Sequence, residues 1–213
     1  MYLILFLFIF FFLIQFGLGL ASIKTRANLK KKYSFILGEQ HEVSKTLEDY
    51  LKDHSTLNLK LVGNIQEVCY SDNNLLILNK KYISAQDLYS NFYVIFHLKL
   101  CEPELASIRN INLYQNGVYV LQFVFVLLGF VFSSFAGLLW GIALFLLFLN
   151  FFVTFFGLFS YSQILKKVLR EAERRLNLDR VERARVEALA DEVKYEVFEY
   201  PLEIFWRIYQ ILK

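Results

Sequence analysis

Two long uncharged stretches dominate the pattern of apolar and polar positions along the chain. The first, Tyr2 to Ile23, contains no charged residue and has the length of one membrane-spanning helix, which needs about 20 apolar residues. The second has no charged residue from Asn110 to Gln163, and its most apolar part, Val118 to Ser162, is about twice as long as one span. Small residues in its middle, in the sequence SSFAG, permit a reversal of the chain. The pattern therefore predicts three transmembrane helices, of which the last two form a hairpin.

Basic residues lie beside these stretches, where they set the orientation of a membrane protein. Lys24, Arg26 and Lys30–Lys32 follow the first stretch and Arg109 precedes the second. Five more follow the second stretch, namely Lys166, Lys167, Arg170, Arg174 and Arg175. This distribution predicts an N-terminus outside and a soluble domain on the cytoplasmic or matrix side of a bacterial or organellar inner membrane. A cleaved signal peptide is disfavoured, because the first stretch lacks a basic n-region and a clear A-x-A site.

The segment 24–117 has the periodicity of a small α+β domain. Residues 42–54 predict an amphipathic helix, because their apolar positions share one face. That face comprises Val43, Leu47, Tyr50 and Leu51. Residues 57–62 alternate and residues 75–79 are continuously apolar, so both are predicted to be strands, with a turn at YSDNN before the second.

A further helix is predicted over Ala85–Leu100, with Ser84 as its N-cap. His97 and Cys101 lie four residues apart and would share a helix face, a spacing that suits two metal ligands. A packed neutral histidine and a buried thiol are the commoner state of such residues. Lys99 between them either pairs with an acidic neighbour or extends its long side chain to solvent.

The segment 163–213 is highly charged and predicts solvated helices, because opposite charges recur three and four residues apart. A break is expected near Asn177. From Pro201 onwards Glu203 and Arg207 interrupt the apolar residues, which suits an interfacial helix better than another span. The chain thus divides into four parts: an N-terminal transmembrane anchor 1–23, a cytoplasmic α+β domain 24–117, a transmembrane hairpin 118–162 and a charged helical region 163–213.

The composition agrees with a membrane protein, since 56% of the residues are hydrophobic and the mean hydropathy is +0.40. The net charge of +3 is too small for a nucleic-acid-binding protein, and basic and aromatic residues do not alternate in a binding pattern. The two cysteines, Cys69 and Cys101, do not form a disulfide framework.

The order of these parts resembles that of the YugP-type membrane-bound neutral zinc metallopeptidases. In that family an anchor, a basic stretch, a short helix, two strands and an H-E-x-x-H helix precede a hydrophobic hairpin that ends at a third metal ligand. Here KTRANLKKKYS is similar to the basic stretch, HEVSKTLEDYL to the short helix and CYSDNNLLILNKKYIS to the segment before the zinc helix. The resemblance implies three transmembrane helices and a metallopeptidase-like α+β domain.

The residues that would carry the family's chemistry are changed in this sequence. H-E-x-x-H binds zinc through two histidines, and its glutamate activates the zinc-bound water. The matching residues are His97, Leu98 and Cys101, and the third ligand corresponds to about Leu158. A leucine neither accepts a proton nor binds a metal. The resemblance therefore implies the remnant of a site, with no catalytic residue, no metal and no other cofactor.

We therefore expect a catalytically inactive, metallopeptidase-like integral membrane protein that serves as an accessory or scaffold subunit of a membrane protein complex. Its expected partners are membrane lipid and other membrane protein subunits, with no nucleic acid. Three alternatives stay open: an active zinc peptidase with an atypical His/Cys site, a structural subunit of a large organellar or bacterial complex unrelated to peptidases, and a transporter or channel component. The last is disfavoured because the spans carry no charged residue.

Overall fold

The computed structural model describes residues 2–37, 41–54, 56–63, 68–72, 74–102 and 111–198. Over these ranges the chain is mostly helical and forms two compact units. The bundle unit contains the described residues of Met1–Thr25, Asn110–Ser160 and Tyr195–Lys213. The mixed unit contains those of Arg26–Arg109 and Tyr161–Lys194.

The α-helices of the described chain are numbered in chain order. They are α1 (Tyr2–Lys32), α2 (Val43–Asp53), α3 (Leu88–Leu100), α4 (Ile111–Val131), α5 (Ala136–Leu176) and α6 (Arg180–Val193). Short 3-10 helices lie at Lys80–Tyr82, Ser133–Phe135 and Lys194–Phe198. Helices α1 and α5 each contribute residues to both units, because they continue past their apolar parts into basic sequence.

Helices α1 and α5 are long and apolar enough to cross a membrane. Only 17% of the most apolar window in α1, and 28% of that in α5, is buried. The core helix of a soluble protein would bury most of such a surface, whereas a lipid-facing helix leaves it outward. Length, composition and exposure of these two helices therefore fit a membrane environment.

The hairpin predicted from the sequence is present, but its first helix is the shorter one. Ser133–Phe135 forms the reversal at SSFAG between α4 and α5. The apolar part of α4 is Gly117–Val131, fewer than the roughly 20 residues that cross the hydrocarbon core. Two helices thus have the length of a span, and the length of α4 alone does not establish a third.

The two helices of the hairpin approach each other closely at Gly129. Trp140 on α5 donates a hydrogen bond from Nε1 to the carbonyl oxygen of Val126 on α4, at 3.2 Å. A Cβ atom at Gly129 would lie under 3.0 Å from this indole ring, so only glycine fits there. A Cβ atom at Gly137 or Gly141 would meet nothing within 4 Å.

The mixed unit contains a three-stranded sheet with strand order β1-β3-β2. Its strands are β1 (Asn58–Val62), β2 (Cys69–Asp72) and β3 (Leu75–Asn79). Strand β3 pairs in parallel with β1 and antiparallel with β2. Four of the five residues of β3 are buried, which suits the central strand of the sheet. The two strands and the amphipathic helix predicted for this segment are confirmed.

The turn predicted at YSDNN lies at its end, and one other local prediction in this unit was wrong. Residues 70–72 belong to β2, and the chain reverses at Asn74, whose φ of 61° asparagine tolerates. Ser84 does not cap α3. The N-cap is Asp87, whose Oδ1 accepts from the backbone N–H of Ser90 at 2.9 Å. A backbone bond from Leu88 N–H to the carbonyl of Phe35 holds the chain extended before the helix begins.

The break predicted in the charged region is confirmed. Helix α5 ends at Leu176, and Asn177 has a φ of 39°, which terminates the helix. Asp179 then caps α6 in a capping box with Glu182. The interfacial helix predicted from Pro201 onwards lies outside the described residues.

Gly129→Ala should destabilise the protein by about 1–3 kcal/mol, because the added methyl group forces the Trp140 ring out of the hairpin. Gly141→Ala is the matched control on the same hairpin. It should be neutral or stabilising by up to about 1 kcal/mol, because alanine favours the helix and has room. Thermal unfolding of both variants in the same detergent measures the difference, and equal midpoints would contradict the contact.

Candidate functional site

The candidate metal remnant lies on α3, a helix surrounded by the rest of the mixed unit. Eleven of its thirteen residues are buried. Leu98, which stands where a peptidase has its general base, has no exposed surface. Cys101 is 1% exposed and follows the helix as its C-cap, with its N–H donating to the carbonyl of His97 at 3.1 Å. His97 and Cys101 therefore lie one helical turn apart, as predicted.

His97 lies beside aromatic rings on α3. Its ring centroid lies 5.3 Å from that of Phe96 and 6.4 Å from that of Tyr93. Its buried Nδ1 has no hydrogen-bond partner among the described residues. Burial, with a smaller contribution from the charge of Arg26, lowers the pKa of His97 from 6.5 to about 3. The imidazole is neutral at physiological pH.

The other candidate ligands lie as follows. No group of three or more His, Cys, Asp or Glu side chains is placed to hold a metal ion within the described ranges. Leu158, the position matched to the third ligand, lies on α5, in the bundle unit. Cys69 and Cys101 are both buried, and neither is in a disulfide.

A network of charged side chains lies around Tyr50, where α2, α3 and α5 supply its members. Lys99 on α3 donates to Glu102 at 2.8 Å and lies 3.9 Å from a carboxylate oxygen of Glu171 on α5. Glu171 in turn accepts from Nε of Arg175 at 2.5 Å. The hydroxyl of Tyr50 donates to the same Oε1 of Glu102 at 2.7 Å. The side chains of Lys99, Glu171 and Arg175 are 14%, 13% and 7% exposed, so this is a largely buried network.

Two cations lie over the ring of Tyr50, which orders the centre of the network. The guanidinium carbon of Arg175 is 4.7 Å from the ring centroid, and Nζ of Lys99 is 5.5 Å from it. Such cation–π contacts add attraction where water is excluded. Arg175 also reaches Asp53 at the end of α2, at 2.7 Å. Helix α5 is thereby joined to both α2 and α3.

Proton affinities within the network follow from this packing. Burial, together with the hydrogen bond to Glu102, raises the pKa of Tyr50 far above its ordinary value, so its hydroxyl stays a donor. Burial alone would raise the pKa of Glu171. The hydrogen bonds from Arg174 and Arg175 and the charge of Lys99 outweigh it and hold that pKa below 4.5. At neutral pH Tyr50 is therefore neutral and Glu171 is charged.

A small cleft lies beside the network. Its volume is about 40 Å³, and it is lined by Tyr50, His54, Thr56, Leu57, Asn74, Cys101 and Glu102. A volume of this size holds a few water molecules.

Sequence reasoning missed this network, although one signal pointed to it. Lys99 is a lone charge in an apolar helix, and pairing with an acidic neighbour was one of its two interpretations. The acidic partner Glu171 comes from another helix after the long uncharged stretch. Spacing along the sequence cannot indicate such a pair, since only the packing of α5 against α3 brings it together.

Arg175→Gln should lower the stability of the protein by about 1–3 kcal/mol, because it leaves the buried carboxylate of Glu171 with fewer partners. Arg174→Gln is the matched control, since Arg174 bonds the same carboxylate but its side chain is 63% exposed. That change should cost less than about 0.5 kcal/mol. Denaturant unfolding of both variants distinguishes them, and an equal loss in both would contradict a buried network.

Stability should fall as the pH drops below 6.5, because unfolding frees His97 to bind a proton that the folded state excludes. The expected loss is about 1 kcal/mol per pH unit between about pH 6 and about pH 4.5. Below 4.5 the protonation of Glu171, whose folded pKa is lowered, adds a second loss. His97→Phe should remove the first slope, whereas His41→Gln should keep it. A slope that persists in His97→Phe would contradict the neutral buried imidazole.

No family model matches the chain, and comparison with curated proteins and with solved structures finds no significant match to either.

Proposed function

We propose that the chain is a catalytically inactive, metallopeptidase-like membrane protein that serves as an accessory or scaffold subunit of a membrane protein complex. The observation that carries this proposal is that packed apolar and aromatic side chains surround the positions on α3 that would bind metal and activate water in a peptidase. A leucine without exposed surface stands at the position of the general base, and the neighbouring histidine is neutral and surrounded by aromatic rings.

The charged network supports the same proposal. An active zinc site needs an open position for water and substrate beside its ligands. Here Glu102 accepts hydrogen bonds from Lys99 and Tyr50, and Arg175 donates to Glu171. The adjoining cleft has a volume of about 40 Å³. Charged groups that pair with one another in this way hold three helices together.

The bundle unit supports membrane lipid and other membrane proteins as the partners. Large apolar side chains are exposed on one long helix, as lipid or a neighbouring span would require. On α5 these include Phe145, Phe152, Phe155, Phe156 and Phe159, each more than half exposed. The basic residues that follow the apolar parts of α1 and α5 suit the phosphate level of a membrane.

The purified protein should contain no stoichiometric zinc and should hydrolyse no unstructured peptide, and His97→Ala should change neither result. His41→Ala is the control for the loss of a histidine outside α3. Metal analysis and a fluorogenic peptide assay, each with and without chelator, provide the readouts. Stoichiometric zinc that His97→Ala abolishes, together with chelator-sensitive cleavage, would overturn the proposal in favour of an atypical peptidase.

The protein should resist extraction from membranes at alkaline pH and should migrate in mild detergent as part of a stoichiometric complex. Chemical cross-linking in intact membranes before solubilisation tests whether the complex exists there. Recovery of a monodisperse monomer from cross-linked membranes would contradict the scaffold role, and extraction at alkaline pH would contradict the integral membrane location.

A further inference from the structure

Helix α5 carries exposed side chains of two chemical kinds along one face. Phe145, Phe152 and Phe159 follow one another at intervals of seven residues, and each is more than half exposed. The next position at this interval is Lys166, which is also exposed. Residues seven apart lie close to one line along a helix, because seven residues make almost two turns. The outward face of α5 thus changes from aromatic to cationic between Phe159 and Lys166.

Two further cations widen the cationic part of this face. Lys167 and Arg170 are both exposed. Val168, which lies between them in the sequence, has no exposed surface, so it belongs to the packed side of the helix. We call Lys166, Lys167 and Arg170 the cation patch.

The cation patch has no counter-charge among the described residues. None of its three side chains forms an ion pair or a hydrogen bond with another described residue, and the nearest carboxylates on α5 are used elsewhere. Glu171 lies 2.5 Å from Arg175, and Glu173 lies 3.2 Å from Arg183. From Ala136, where α5 begins, to Arg170 the helix contains no acidic residue at all. Three positive charges therefore face outward unneutralised.

Helix geometry directs the cation patch back towards the aromatic part of the face. The Cα–Cβ bonds of an α-helix tilt towards its N-terminus, which for α5 is the end at Ala136. Lys166 follows Phe159 by about 10 Å along the helix axis. Lysine and arginine shorten such a distance, because their methylene groups lie along apolar surface while the charged end reaches the boundary with water. With the aromatic part in hydrocarbon, the cations therefore lie at the level of the lipid headgroups.

We propose that Lys166, Lys167 and Arg170 bind the headgroups of anionic phospholipids, so that the protein selects anionic over zwitterionic lipid. This inference rests on the membrane location in the proposed function and adds to it the residues and the lipid class. Unneutralised cations attract a headgroup with a net negative charge, whereas a zwitterionic headgroup has no net charge. Each Lys or Arg held near an anionic leaflet strengthens association about fivefold.

An acidic segment of a partner protein is the other occupant that would match the charge of the cation patch. Lipid is favoured because the cations continue an exposed aromatic face of the same helix. A large apolar face directly beside the cations suits a bilayer, in which hydrocarbon and headgroups adjoin in the same order.

Electron paramagnetic resonance of spin-labelled lipids tests the cation patch on the full-length protein in phosphatidylcholine bilayers. Motionally restricted lipid should favour phosphatidylglycerol over phosphatidylcholine at least about threefold, and Lys166→Gln/Lys167→Gln/Arg170→Gln should bring this ratio close to one. The matched control is Lys60→Gln/Lys80→Gln/Arg180→Gln, which removes the same charges from exposed positions of the mixed unit outside α5. The control should keep the preference. A preference that survives in the first variant, or that both variants lose equally, would overturn the proposal.

The unsubstituted protein provides a test that does not depend on the folding of a variant. Raising the salt concentration from about 0.1 M to about 1 M shortens the Debye length from about 10 Å to about 3 Å and should at least halve the preference. A preference that salt leaves unchanged would overturn the proposal. So would the absence of any preference at low salt, which would instead favour an acidic protein partner. Extraction at alkaline pH contradicts the membrane location itself, so the two failures are distinguishable.

Discussion

The burial of α3 is the constraint on which the mixed unit depends. Because eleven of its thirteen residues are buried, each polar group on the helix has to be paired or neutral. Asn91 meets this requirement through Thr46 on α2, which donates to it at 2.7 Å, and through the carbonyl of His41, to which it donates at 2.7 Å. Lys99 meets it through two carboxylates. His97 meets it by staying uncharged.

These requirements also determine how the neighbouring helices are held. The ammonium group of Lys99 needs Glu102 and Glu171, and the carboxylate of Glu171 needs Arg175. Arg175 then covers the ring of Tyr50. Removing one charge leaves its partners with fewer counter-charges in a largely buried site, which is why such networks are destabilised more by single changes than by the loss of whole pairs.

The bundle unit treats polar groups differently. Its helices expose apolar surface outward and keep uncharged amides inside, several of them without a partner among the described residues. Next to lipid the outward apolar surface has no reason to be buried. The interior amides then need either water or a polar partner. The exposed apolar surface of α1 and α5 fits a membrane environment.

Much of the fold follows from the sequence by itself, because it depends on local periodicity. The length of Tyr2–Ile23 and the small residues of SSFAG predicted a long first helix and a hairpin. Alternation at 57–62 and the apolar run at 75–79 predicted two of the three strands. Helix ends were less certain, since Ser84 and Asp87 are both capable of capping and only the backbone bond to Phe35 selects the later one. The sequence predicted a third span, but the apolar part of α4 is too short to establish one by its length.

Of the candidate site, the sequence determined that position 98 is a leucine, which has no basic group in any fold. Only the tertiary structure decided what surrounds it and its neighbours. Glu171 meets Lys99 because α5 packs beside α3, and His97 loses its proton because aromatic rings exclude water from it. Desolvation and long-range ion pairing depend on the three-dimensional surroundings of a side chain, and spacing along the chain does not encode them.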